Sequence, residues 1–366
     1  MKADPLLRLV LRLATLTVTL AAPLRAWNYP GHRMVNQLAL AALPADFPAF
    51  VRDPAAAERI AFLAGEPDRW RNVEPALRQS GGSWADHYFD LEQVPDAGLD
   101  LAALPSFRYD FIVAFAAGRA AHLDRFPAID PAKNQDHTRE WPGFAPWEIF
   151  ECYNRLRSAF SCLKVFQELG TKEEVANAEA DVIYCMGVLG HFVGDCAQPL
   201  HTTVHHNGWA GDNPNGYTAW KGVHSWIDSG FIRKGDITLA ELLPGVVAVR
   251  PASLAARPDG RDPMFVAVVE YILAQNKLVE PLYRLEKEGK LSDDLEKTGK
   301  FGQDKSPVSA DGRAFVKGQL LKGGEMLATI WVTAWRGAPP STYLRSELVR
   351  RQGGEAASAP AAAEGN

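Results

Sequence analysis

Beyond its first two dozen residues the chain has no apolar run approaching the ~20 residues a bilayer-spanning helix needs, so no later segment is expected to cross a membrane. It lacks the period-two alternation of half-buried strands, which argues against a sheet-based fold, and it has no internal repeat. Basic residues are in deficit: 39 Lys and Arg stand against 44 Asp and Glu, a formal charge of −5. Such a chain has no long-range attraction for nucleic acid or anionic lipid. Any phosphate must then be held locally, by metal or by a few arginines. Cysteine is scarce, with four residues, and none stands where a lipoprotein would carry its anchor.

What is present starts with an export signal over 1–26. Lys2 and Arg8 precede an apolar run from Leu9 to Ala22, and Ala26 occupies the expected cut. Arg12 interrupts the run and Leu24 is larger than usual for its place, so an uncleaved apolar anchor is the alternative. Removing 1–26 takes away four basic residues and one acidic residue, moving the charge from −5 to −8, and makes Trp27 the first residue. The destination is then periplasmic or extracellular, with no stable membrane insertion.

Apolar residues recur with helical period over 31–44, 109–122, 147–169, 172–197, 221–232, 263–286 and 311–335. The fold class is therefore all-α. Candidate ligands run from Trp27 to Asp228 and must converge, so 27–335 is expected to form one mainly helical domain with long loops around a cleft. The Gly/Pro-rich connections at 92–108, 124–146, 202–220 and 244–262 are longer than structureless loops usually are, as in chains whose loops build a site. From Arg336 the composition shifts to Ala, Pro, Ser, Gly and Glu, so 336–366 is expected to be a tail whose last fourteen residues are disordered.

An exported chain can oxidise its cysteines. Cys152 and Cys162 lie on one expected helix, and Cys185 and Cys196 on the next. In an antiparallel pair, residues of nearly constant index sum face each other, which suggests Cys152–Cys196 and Cys162–Cys185 bridges. The alternative is four buried free thiols packing as small apolar groups.

The densest chemistry is Gly190-His191-Phe192-Val193-Gly194-Asp195-Cys196-Ala197-Gln198-Pro199-Leu200-His201. His191 and Asp195 are four apart, so a helix presents both on one face, as a shared metal site requires. Pro199 should end that helix and let His201 turn back toward the same cavity. An HxxxD pair alone is weak, because the two side chains could simply bond each other. His224 and Asp228 repeat the spacing in an apolar setting, which makes coincidence less plausible. Upstream, Asp68 in Gly65-Glu66-Pro67-Asp68-Arg69-Trp70-Arg71 and His87 in Asp86-His87-Tyr88-Phe89-Asp90 add a carboxylate and an imidazole. Taken singly, Asp68 could be a helix cap and His87 a satisfied core histidine. With His32, eight side chains of metal-ligand type are available, and a freed Trp27 amine makes a ninth donor. That suffices for three zinc ions, each with an open position. His205 and His206 read as solvated or supporting, His122 and His137 have no partner at ligand spacing, and Trp70, Trp84, Trp141, Trp147, Trp220 and Trp226 read as wall and core.

In the order and most spacings of these motifs the chain resembles the zinc-dependent single-strand nucleases of the nuclease S-one/P-one type, to which mung bean nuclease is similar. Those enzymes share a superfamily with bacterial zinc-dependent phospholipase C. The resemblance spans Trp27 to Asp228. It implies that Asp68, His87, His191 and Asp195 hold one zinc, that Trp27 (amine and carbonyl), His32 and a bridging Asp195 hold its neighbour, and that His201, His224 and Asp228 hold a third. It implies further that Arg71 steadies charge on the phosphate, that Tyr88 stacks on a base where the nucleases have phenylalanine, and that Asp90 hydrogen-bonds the base edge. The five-residue step from Trp27 to His32 and the closing HxxxD motif match the nuclease branch; the phospholipase branch has a longer first gap and HxxxE. Two departures are present: the gap from Asp68 to His87 is longer, and 208–216 lacks the Gly-Gly-Asn pattern.

The expected activity is hydrolysis of single-stranded DNA and RNA to 5′-phosphate products, with 3′-nucleotidase activity implied by the resemblance. Zinc lowers the pKa of bound water from 15.7 to about 7, and a pair bridged by Asp195 needs no separate general base. The third zinc and Arg71 can carry leaving-group and phosphate charge. The rivals are a phospholipase C and a non-catalytic exported zinc-binding protein. No protein partner is implied.

Overall fold

The computed structural model describes residues 27–71, 84–134, 137–292, 297–298 and 306–358; the expected signal at 1–26 and the final residues 359–366 lie outside them. The fold rests on α1 (Tyr29–Ala41), α2 (Pro54–Leu63), α3 (Glu66–Arg71), α4 (Arg108–Ala121), α5 (Ala145–Leu169), α6 (Lys172–Ala197), α7 (Pro263–Asn276), α8 (Val279–Lys287), α9 (Ala310–Gly337) and α10 (Thr342–Ser358). Among the described residues there is no strand, in keeping with the all-α expectation. The loops carry short 3-10 and single-turn helices.

The α6 sequence changes character half-way along. Lys172 to Cys185 is charged and largely solvent-facing, whereas every residue from Met186 to Ala197 is buried. A helix that is apolar or small all round belongs in the interior. The buried half of α6 accordingly packs against α1, α2, α5 and α9 at once. At its start, Thr171 Oγ1 accepts from Glu174 N (3.2 Å) while Glu174 Oε2 accepts from Thr171 N (2.8 Å). This capping box satisfies two otherwise orphaned amides and fixes the α5–α6 turn. Asn36 of α1 donates to the carbonyls of Ile60 (2.8 Å) and Gly187 (3.0 Å), tying α1, α2 and α6 together.

A second core layer is aromatic. Phe111 stacks on Trp147 at 4.0 Å between ring centres, and Phe89 meets Trp147 edge-on at 5.5 Å. Burying rings of this size contributes about 1.5–3 kcal/mol each. Phe89 thereby anchors the 84–91 segment. Main-chain bonds from Phe89 N to His201 O (2.9 Å), Leu91 N to Thr202 O (3.3 Å) and Phe144 N to Ala85 O (2.7 Å) stitch that segment to its neighbours.

Several expectations are corrected. The four cysteines are free thiols rather than two bridges. With the turn at Gly170–Thr171, Cys196 falls level with Ala145, about seven residues or roughly 10 Å of helix rise from Cys152. Cys152 Sγ instead lies 3.3 Å from Glu148 Oε1, and burial pushes its thiol well up. The expected tail is also displaced: α9 runs to Gly337, and α10 lies on α5, with Leu348 buried, Arg345 paired with Glu168 (2.5 Å) and Arg351 with Glu174 (2.7 Å). Helix thus continues to Ser358 into the stretch expected to be disordered. The single helix expected over 263–286 is broken into α7 and α8, and Asn276 at the break donates to Thr202 O (2.8 Å).

Candidate metal centre

Helical spacing on α6 sets His191 and Asp195 on one face, and α1 brings His32 against them. The His32 and His191 rings stack at 3.9 Å. This approach requires Gly194: a Cβ there would lie 2.9 Å from His32 Nδ1. From the other side the 84–91 segment delivers His87. Arg108 holds the preceding residue, Asp86, at 2.9 Å and Glu148 at 2.8 Å.

Asp195 divides its oxygens between two directions. Oδ1 is 3.4 Å from His32 Nε2, while Oδ2 is 3.0 Å from His87 Nδ1 and 3.3 Å from His191 Nε2. His191 Nε2 is itself 2.9 Å from His87 Nδ1 and 4.0 Å from Asp68 Oδ1. Ligand-type atoms of His32, His191 and Asp195 all lie within 4.8 Å of one another, as do those of Asp68, His87 and His191.

His201, His224 and Asp228 form a third group of the same tightness. His201 follows the α6 terminus on a 3-10 turn, Pro199–Thr202. His224 and Asp228 lie on a broken helix whose middle, Trp226–Gly230, is a π turn, a local unwinding common at functional sites. His224 Nε2 is 3.1 Å from His201 Nε2 and 2.9 Å from Asp228 Oδ2. Gln198 Nε2 donates to Asp228 Oδ1 (2.7 Å), and its own Oε1 accepts from Leu200 N (2.7 Å).

The tautomers follow from the main chain. His191, His201 and His224 each place Nδ1 on a carbonyl: Ala64 O at 2.7 Å, His87 O at 2.9 Å and His206 O at 3.0 Å. A carbonyl only accepts, so each Nδ1 carries the proton and each neutral ring turns an Nε2 lone pair inward. Lone pairs 3.1 Å apart beside a carboxylate repel unless positive charge lies between them. Buried polar atoms normally find a partner, yet both ring nitrogens of His32, His87 Nε2 and Asp195 Oδ1 have no hydrogen bond. Three buried His/Asp groups could therefore hold metal ions.

The electrostatics agree for His32, His87, His191 and His201, with His224 the exception. Burial holds His32 and His191 down at about pKa 4 and His87 and His201 well below the usual imidazole range, the neutral state a ligand needs. Burial pulls His224 down too, but the Asp228 carboxylate outweighs it and the net shift is upward. Burial lifts Asp195 to about 8, a cost a cation beside it would reverse.

The other expected site residues are nearby. Arg71 is buried, with Nη2 2.8 Å from Asp68 Oδ1 and its guanidinium 4.7 Å over the Trp84 ring. Arg71, Tyr88 and Asp90 line a cavity of about 620 Å³ that His87, His201 and His224 also border. Gly143, at φ +96°, gives Tyr88 its place, since a Cβ would come within 2.1 Å of the Tyr88 carbonyl oxygen. Asp90 is pushed up to about 8, by burial and then by Glu92. Trp27 is buried against Gly31, and Asn28 N donates to Asp228 O (3.2 Å), so this stretch reaches across to the third group.

Of the remaining histidines, His206 contributes its carbonyl and a cavity wall, and His205 stacks on Trp209 at 3.8 Å. His137 is exposed, 3.7 Å from Glu140. Gln198 went unrecognised from the sequence, although its place just before Pro199 and His201 was a usable signal. No family model matches the chain, and no characterised protein matches it in sequence.

Proposed function

We propose that this protein is an exported zinc-dependent phosphodiesterase that hydrolyses single-stranded DNA and RNA to 5′-phosphate products, with 3′-nucleotidase activity. One observation carries the proposal: three convergent His/Asp groups, two of them sharing His191, send His87, His201 and His224 to the wall of a cavity that Arg71 and Tyr88 also line. Imidazole and carboxylate donors in threes and fours suit zinc. Bound there, zinc supplies Lewis acidity toward the phosphate and an activated water at neutral pH.

The chain's own groups do the rest. His32 faces one oxygen of Asp195 and His87 and His191 the other, so this carboxylate could serve an ion on either side. Arg71, paired with Asp68, puts a permanently charged guanidinium at the cavity wall for phosphate oxygens. Tyr88 offers a ring face to an unpaired base, an interaction worth about 1–3 kcal/mol. Asp90 presents a carboxyl to the base edge. A base inside a duplex cannot reach that ring, which is the reason for single-strand preference. Once residues 1–26 are removed, Trp27 would have an α-amine and a carbonyl to add to the ion that His32 would hold.

The decisive experiment measures zinc per chain and cleavage of single-stranded DNA by protein starting at Trp27, with and without chelator. The expected result is two to three zinc ions and chelator-sensitive cleavage. Fewer than two, or chelator-resistant cleavage, overturns the mechanism. Hydrolysis of lecithin in place of DNA indicates a phospholipase C, and bound zinc without turnover a binding protein.

A further inference from the structure

The cavity has a second charged wall that the proposed chemistry does not use. Arg119, Lys133 and Arg139 line it together with Trp141 and Tyr88. In a protein of net charge −5, three cations on one wall are a local reversal of sign.

The wall is built rather than incidental. Asn134 is buried in the 130–139 loop; its Oδ1 accepts from Arg139 N (3.0 Å) and its Nδ2 donates to Glu140 Oε1 (2.6 Å). Arg139 Nε donates to Lys133 O (2.6 Å), so Lys133 and Arg139 ride on one braced turn. Arg119 is held 4.4 Å over the Phe126 ring. Carboxylates temper the wall only in part. Lys133 Nζ is 3.5 Å from Asp130, Glu140 acts on Arg119 at longer range, and among the described residues no carboxylate lies within ion-pair distance of Arg139.

We infer that Arg119, Lys133 and Arg139 form a subsite for a second backbone phosphate of the same strand, making the preferred substrate an oligonucleotide rather than a mononucleotide. The inference rests on the phosphodiesterase proposal for the position of the first phosphate. The chain then lies across the cavity, one phosphate at the metal groups and another at the cationic wall, with the intervening base against Tyr88 or Trp141. Side chains of this kind read backbone charge without base preference.

The test is equilibrium binding of the zinc-loaded protein to fluorescein-labelled phosphorothioate thymidine oligomers, an octamer against a dimer with one linkage, with electrophoresis confirming intact length. The octamer is expected to bind at least tenfold more tightly. Lys133→Gln/Arg139→Gln is expected to weaken the octamer about tenfold. It should also flatten the slope of log Kd against log salt by about 0.7, the value for one phosphate contact on a single strand. Lys133 and Arg139 are exposed, so the fold should persist, as circular dichroism can verify. A control, Lys172→Gln/Arg350→Gln, makes the same change in charge at exposed positions outside the cavity lining. Equal affinity for dimer and octamer, or equal weakening by the control, overturns the subsite. Failure to cleave unmodified octamer would instead defeat the phosphodiesterase proposal and leave the binding contrast readable.

Discussion

The two groups that meet at His191 and Asp195 and the group of His201, His224 and Asp228 use the same donors on different scaffolds. His32, His191 and Asp195 stand on two regular helices pressed together at Gly194, and none of the three is exposed. His201, His224 and Asp228 stand on a 3-10 turn, a single α-helical turn and a π turn, and their two histidines border the cavity. Rigid helices suit a shared carboxylate whose two oxygens must each keep a direction. A turn-built group beside the cavity can follow substrate and leaving group.

That contrast can be broken at its centre. Asp195→Asn removes the charge serving two groups and is expected to cost two ions and at least about 10³-fold in activity, while His201, His224 and Asp228 keep theirs. Metal analysis showing loss of only one ion would contradict the sharing.

Acid is the next largest lever. His32 and His191 have folded pKa values near 4 against 6.5 unfolded. Between those values the unfolded chain binds more protons, so stability present above pH 6.5 is lost as pH falls toward 4, by about 1.4 kcal/mol per pH unit per proton. His87 and His201 add in the same sense. His206, held near 4 by burial, adds again, while Asp195 and Asp90, raised to about 8, and Asp86, raised to about 7, oppose with one proton each. Denaturant melts of chelated protein should therefore show a net decline over pH 6.5 to 4, and a flat profile would refute the neutral, buried histidines.

Gly194→Ala sharpens the comparison on the helical side. The added methyl presses on His32 and is expected to cost about 1–3 kcal/mol of stability by overpacking, with weaker binding of the ion beside His32 alone. On the turn-built side, Gln198→Ala frees one oxygen of Asp228 and should weaken that single ion about 10–100-fold. Isothermal titration of the two variants should show each deficit confined to its own group; a shared deficit would mean the scaffolds are not separate.

Much of this was legible beforehand. Apolar period gave α6 at its observed limits of 172–197, and Pro199 was expected to end it; the Thr171 capping box at its start became visible only in the structure. The repeated HxxxD spacing gave both ligand pairs, because four residues return a helix to the same face. The sequence was silent where the determinant is tertiary. The π turn under Asp228 follows from packing rather than from local composition. α2 opens with Pro54, a good first helical residue, yet its Ala-rich start masks the apolar period. α10 has weak amphipathicity and is held by Leu348 and by pairs to Glu168 and Glu174 from distant sequence. The cysteine expectation failed on register, since the turn position decides which residues of α5 and α6 lie level.

One bond links the two scaffolds: the His87 main chain carries one group's imidazole and, through its carbonyl, orients the His201 ring of the other. Ordering either group therefore prepays part of the entropy of ordering its neighbour. A zinc titration of the ion-free protein should show weak positive coupling between the groups, smaller than the deficit that Gly194→Ala or Gln198→Ala causes in its own group.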